Sequence, residues 1–137
     1  MEEYIKNIDL DVISNQTLAF IGDSVHSLYI RIYLASKSNI QTGVLHNRAI
    51  RYVSAKAQSK VIDNIVDHLT EEELAVYKRG RNTNVGSISK HADVIEYKKA
   101  TGYEALIGHL YITKNIDRLE EIIKISINVI EGSGKYE

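Results

Sequence analysis

The 137-residue chain contains no cysteine and no proline. Without cysteine there are no disulfides, no thiolate zinc sites and no cysteine nucleophile. Without proline the strongest helix breaker is missing, which favours long uninterrupted helices. Charge of one sign is also lacking: 17 Lys and Arg stand against 18 Asp and Glu, with a formal net of −1. Any nucleic-acid partner would therefore have to be met by locally segregated charge. No apolar run approaches the length of a membrane span. The start, Met1-Glu2-Glu3-Tyr4-Ile5-Lys6, is acidic and mixed, not basic with an apolar core behind it. The expectation is a soluble, cytoplasmic chain with no membrane partner, in which the sequon Asn15-Gln16-Thr17 is a coincidence.

What is present is helical periodicity. Leu18, Ile21, Val25, Leu28 and Ile32 alternate spacings of three and four, so a helix from Thr17 to Leu34 with one apolar stripe is expected, capped by Thr17 or Asn15. Ser36 to Thr42 reads as a polar connection. Leu45, Ala49, Ile50, Val53, Ala57, Val61, Ile62 and Ile65 carry a helix from about Val44 to Leu69. Thr70-Glu71-Glu72-Glu73 is a capping box that starts another, ending near Gly80. Arg81 to Ser89 is the least regular stretch. Helix resumes from Asp93 to Tyr111, with Ala100, Tyr103, Leu106, Ile107 and Leu110 on one face, and again from Asn115 to Ile130. Sustained period-two alternation, internal repeats and linkers are all absent. The fold class is all-α, and residues 1–137 read as one domain.

Two acids stand out. Asp23 lies mid-helix beside Gly22, a residue that costs about 1 kcal/mol of helix stability relative to alanine. A glycine there implies a gain from close backbone approach. Glu104 lies among Gly102, Ala105 and Gly108. If the two helices pack through their small residues, the carboxylates converge, and hard oxygen ligands on rigid helices suit Mg²⁺. Spacing alone favours the plainer alternative, a solvent-facing acid or an ion pair with Arg31 or Lys98. Basic residues cluster too. His46 to Lys60 holds Arg48, Arg51, Lys56 and Lys60 without an acid, and Lys78-Arg79-Gly80-Arg81 precedes polar residues and Lys90. Such runs suit phosphate contacts, although a solvated face is the commoner meaning of a charge run.

Other motifs fail. Gly132-Ser133-Gly134-Lys135 lacks the first glycine and the hydroxyl residue of a phosphate loop, and it follows a helix. The five histidines never take metal spacing and read as surface or partly buried singles. The recurrent tyrosines read as core or interface rings.

Taken together, Leu18-Ala19-Phe20-Ile21-Gly22-Asp23-Ser24-Val25 resembles the signature helix of ribonuclease III, and Glu104-Ala105-Leu106-Ile107-Gly108 resembles its second catalytic helix. Order and separation match as well. Tyr52 to Gln58 and Lys78 to Asn82 are similar to segments of the Mini-ribonuclease III branch, which has the catalytic domain without a double-stranded RNA-binding domain. The resemblance spans about Asn15 to Ile130. It implies a homodimeric helical endonuclease domain that cuts both strands of duplex RNA, leaving 5′-phosphate and 3′-hydroxyl ends. By motif, Asp23 and Glu104 are the catalytic and metal-binding acids, with Mg²⁺ as cofactor and Mn²⁺ as a substitute. The branch is associated with trimming the precursor stem of 23S ribosomal RNA. Contacts to the RNA backbone are assigned to Arg48, Arg51, Lys56, Arg79, Arg81 and Lys90. Phe20, Val25 and Tyr29 are the expected dimer seam.

Two positions depart from the larger family. Full-length ribonuclease III has a glutamate where this chain has Ala19 and an aspartate where it has Thr101. Each missing acid would lie one helical turn from a retained one, on the same face. The branch shares this reduced set. Two alternatives are a catalytically silent domain of this fold that binds structured RNA in an assembly, and a helical protein–protein module. Retention of both acids speaks against the first.

Overall fold

The computed structural model describes residues 1–37, 41–83 and 93–132. Helix α1 spans Glu2–Lys6, α2 Asn15–Lys37, α3 Thr42–Val53, α4 Ala55–Ile65, α5 Glu71–Arg81, α6 Val94–Ile112 and α7 Ile116–Ile130, with a 3₁₀ turn at Val66–His68. Among the described residues there is no strand, as the missing period-two alternation predicts.

Local chemistry sets most boundaries. The Ser14 hydroxyl accepts the Thr17 N–H at 3.0 Å, so Ser14 caps α2 in place of the expected Thr17 or Asn15. The helix expected over Val44–Leu69 is broken into α3 and α4. Ser54 takes an extended backbone (φ −65°, ψ 156°), and its hydroxyl accepts the Ala57 N–H at 3.2 Å. The apolar period continues across this cap, so periodicity alone cannot show the break. The capping box at α5 forms as the sequence predicts: the Thr70 hydroxyl accepts from Glu73 N at 3.1 Å, and Glu73 Oε1 accepts from Thr70 N at 2.9 Å. Asp93 caps α6 through the N–H groups of Ile95 and Glu96. At the other end of α6, Lys114 adopts φ 61° and Asn115 N donates to Leu110 O at 2.9 Å, a left-handed helix stop usually built on glycine.

Helix α6 is the central element. It packs against α2, α4, α5 and α7. Its expected single apolar face proves too narrow, because Ala100, Gly102, Tyr103, Ala105, Leu106, Ile107, Gly108, Leu110 and Ile112 are buried all round it. Helix α7 closes the bundle through Leu119, Ile122, Ile123, Ile127 and Val129. Each fully buried Leu or Ile in this core contributes roughly 1.5–3 kcal/mol of burial free energy.

The inward face of α2 also differs from the expected stripe. Leu18, Ala19, Gly22, Val25, His26, Ile30 and Leu34 are buried, whereas Leu28 and Ile32 are more than half exposed. The cause is Gly22, which turns its own side of the helix onto α6 and leaves Phe20, Leu28 and Ile32 outside. No helix among the described residues is long and apolar enough to cross a membrane.

Candidate active site

The site begins at a glycine crossing. A Cβ added to Gly22 would stand 1.8 Å from the Glu104 carbonyl oxygen and 2.8 Å from Gly108 N. One added to Gly108 would stand 2.1 Å from the Leu18 carbonyl oxygen. The backbones of α2 and α6 therefore touch where no side chain fits, and the next residue along α2 is Asp23. Gly102 and Ala105 serve another contact. They face α5, where a Cβ on Gly80 would lie 2.9 Å from both Gly102 Cα and Ala105 Cβ. The small residues flanking Glu104 thus divide between two neighbours, and only Gly108 among them closes on α2.

This crossing brings Asp23 and Glu104 into one cavity of about 290 Å³, lined also by Gln16, Ala19, Phe20, Tyr97 and Thr101. Ala19 and Thr101, one turn from the two acids, line the same cavity, and the Thr101 hydroxyl is spent on the Tyr97 carbonyl at 3.0 Å. The carboxyl groups of Asp23 and Glu104 lie within hydrogen-bonding reach of each other. Burial, and then the neighbouring Asp23 carboxylate, push the Glu104 carboxyl up to about 8, so the pair holds a proton near neutrality. No ion pair with Arg31 or Lys98 forms among the described residues, which removes the plainer alternative. Two converged oxygen donors with no protein cation are the donor set that Mg²⁺ accepts, since it keeps several waters and takes few protein ligands. No group of three or more His, Cys, Asp or Glu suited to a metal occurs among the described residues, consistent with the reduced acid set.

Sequence reasoning missed the layer behind the pair. Gln58 of α4 is buried, approaches the Glu104 carboxyl and opposes the upward push, while its Nε2 finds no partner in hydrogen-bonding geometry. A polar residue amid the apolar period of Ala57, Val61 and Ile62 is the signal that could have found it. His26, expected near the surface, is fully buried with its ring edge-on to Tyr103 at 5.2 Å. Burial pulls its imidazole down to about 4, so it stays neutral.

None of the expected RNA contacts lines the carboxylate cavity. Arg51 and Lys56 line a separate groove beside α4, together with Lys60, Asp63 and Glu96. Arg48 and Arg51 line a further cavity at the end of α2. Arg79 is exposed on α5, and Arg81 lies over the Tyr77 ring at 5.6 Å. Lys90 lies outside the described residues. Of the expected dimer seam only Phe20 is exposed. Val25 is buried, and Tyr29 is half-buried with its hydroxyl donating to Glu120.

Comparison with known proteins is consistent across sequence and structure. Residues 16–115 match the family model described as Ribonuclease III domain. The chain is 45% identical over 127 residues to the Mini-ribonuclease 3 of Streptococcus pneumoniae, covering 91% of this chain and 99% of that one. It is 36% identical to the Mini-ribonuclease 3 of Staphylococcus aureus, covering 83% and 87%. A crystal structure of a protein from Fusobacterium nucleatum superposes with a TM-score of 0.81 at 34% identity, covering 91% of this chain and 98% of the other.

Proposed function

The chain belongs to the ribonuclease III domain family and is an endoribonuclease; from that premise we propose that it cuts double-stranded RNA with Mg²⁺ held by Asp23 and Glu104. The observation that carries this reading is the convergence of the two carboxylates at the Gly22–Gly108 crossing, with no protein cation to neutralise them. Mg²⁺ bound there supplies a Lewis acid for the phosphate oxygens and a water of lowered pKa. The chain's own part is to hold both acids rigidly, keep Gln58 behind Glu104, and present the cavity mouth between Phe20 and Tyr97. Hydrolysis adds water to phosphorus and breaks the bond to O3′, leaving a 5′-phosphate and a 3′-hydroxyl. Duplex RNA offers shape, phosphates and 2′-hydroxyls, not readable bases in its deep groove, so selectivity follows stem geometry.

The natural substrate in this reading is the precursor stem of 23S ribosomal RNA, met in the cytoplasm. The active form is a homodimer. The exposed row Phe20, Leu28 and Ile32 on α2 supports an apolar seam beside the site, since residues spaced by four and eight share a helix face. The deciding experiment incubates the chain with such a stem, with and without Mg²⁺, and maps the ends. Mg²⁺-dependent cuts on both strands are expected. Stoichiometric binding of the stem without cleavage at any Mg²⁺ concentration would instead establish a silent RNA-binding domain.

A further inference from the structure

A second polar cavity, of about 380 Å³, opens at the C-terminal end of α2. It is lined by Tyr33, Leu34 and Lys37 of α2, Arg48, Arg51 and Tyr52 of α3, and Glu131 just after α7. From Asp23 to Tyr33 is ten residues of one helix, which is about 15 Å at the helical rise per residue. The cavity is therefore separate from the carboxylate pair but rigidly linked to it.

Its construction concentrates positive charge. The Tyr33 and Tyr52 rings meet edge to face at 6.2 Å and form the floor. Lys37 Nζ stands 5.2 Å from the Tyr33 ring, and the Arg51 guanidinium 5.8 Å from the Tyr52 ring. Arg51 also donates to the Ile130 carbonyl at 3.0 Å, which fixes its orientation. The sole acid of the lining, Glu131, is already used: its Oε2 accepts both tyrosine hydroxyls, that of Tyr52 at 2.9 Å. Neither Lys37 nor Arg48 belongs to an ion pair among the described residues. Three cations thus face one committed carboxylate, leaving two positive charges in excess. Guanidinium groups held over aromatic rings beside a lysine match a phosphate group in both charge and donor geometry.

We propose that this cavity binds a phosphate group, and specifically a non-scissile phosphate of the RNA backbone. The RNA source rests on the function proposed above; the phosphate chemistry does not. Such an anchor fixes the register of a duplex on a chain whose net charge gives no general attraction. It adds Lys37, which periodicity and charge runs did not single out, and gives Arg48 and Arg51 a common target.

The test measures duplex RNA binding across a salt series by the full-length Asp23→Asn chain, with and without Lys37→Ala plus Arg48→Ala. Lys6→Ala plus Lys124→Ala is the charge-matched control. All four lysine and arginine positions are exposed, so each variant should fold. The cavity pair should weaken binding roughly tenfold or more and reduce the log–log salt slope by about two, near 0.9 per lost phosphate contact. The control pair should leave both nearly unchanged. A second arm titrates inorganic phosphate and follows the Arg48 and Arg51 Nε–H signals by NMR. Shifted signals together with unaltered duplex binding would assign the cavity to free phosphate and overturn the RNA assignment. Silence in both arms overturns the proposal. A parent chain that neither binds nor cuts duplex RNA defeats the function proposed above, and the phosphate arm alone then decides the cavity.

Discussion

Glu73 and Glu104 are both drawn into the protein by a helix, and they end in opposite electrostatic states. Glu73 at the start of α5 is buried against Arg118, which donates Nε to Oε2 at 2.9 Å and Nη2 to Oε1 at 3.0 Å, while Thr70 N donates at 2.9 Å. Burial acts to raise its carboxyl, but the Arg118 guanidinium and Thr70 N–H outweigh it and hold the group below the usual carboxylate range. Glu104 has burial and Asp23 acting together, with no cation opposite, and is pushed up to about 8. The difference separates two uses of a carboxylate. One is satisfied within the protein and holds the fold together. The other leaves a demand for positive charge, which is the mark of a functional site.

The comparison breaks if the two residues respond alike. Asp23→Asn or Glu104→Gln should lower the cleavage rate by about a thousandfold or more, the scale of losing several kcal/mol of metal-assisted stabilisation. Thermal unfolding of these variants should stay close to the parent's, because the change removes a desolvated charge and no ion pair. If Glu104→Gln cuts duplex RNA at the parent rate, the metal assignment is wrong.

Glu73→Ala should do the reverse. Removing one partner of a buried pair leaves Arg118 uncompensated and opens the capping box, at a cost of about 3–5 kcal/mol in urea unfolding. The folded fraction should retain its rate per molecule. A Glu73→Ala chain as stable as its parent would reduce the Arg118 pair to a surface contact in effect.

Gly22→Ala joins stability to activity. Its Cβ would meet the Glu104 carbonyl oxygen at 1.8 Å, so α2 and α6 must separate, at roughly 1–3 kcal/mol for overpacking. Because the same crossing positions both acids, cleavage should fall along with stability. Normal activity in a destabilised Gly22→Ala chain would show that the carboxylates do not depend on that contact.

The smallest effect is in pH. With its folded pKa below the ordinary 4.5, Glu73 contributes stability that is fully present above that value and is lost as pH falls through the lowered one. Glu73→Gln should therefore flatten the acid limb of a stability-against-pH curve. An unchanged acid limb would mean that other carboxylates govern acid unfolding.

Much of this was legible in the residues. The absence of proline, the three-and-four periodicity and the Thr70 capping box indicated the helices, and two short motifs marked Asp23 and Glu104. Less legible were the break at Ser54, whose cap interrupts an unbroken apolar period, and the inward face of α2. Periodicity counts Leu28 and Ile32 as core because it weighs only hydrophobicity. Gly22 carries no weight on that scale, yet it rotates the helix.

The sequence by itself determined that this is an all-helical chain with two acids in small-residue settings, because helix formation and capping are local and their residues adjacent. Only the tertiary structure decided that those acids face each other without a cation while Glu73 has one. Carboxylates 81 positions apart acquire a common environment through backbone contact at Gly22 and Gly108, and no local property of either segment reports what the other will bring.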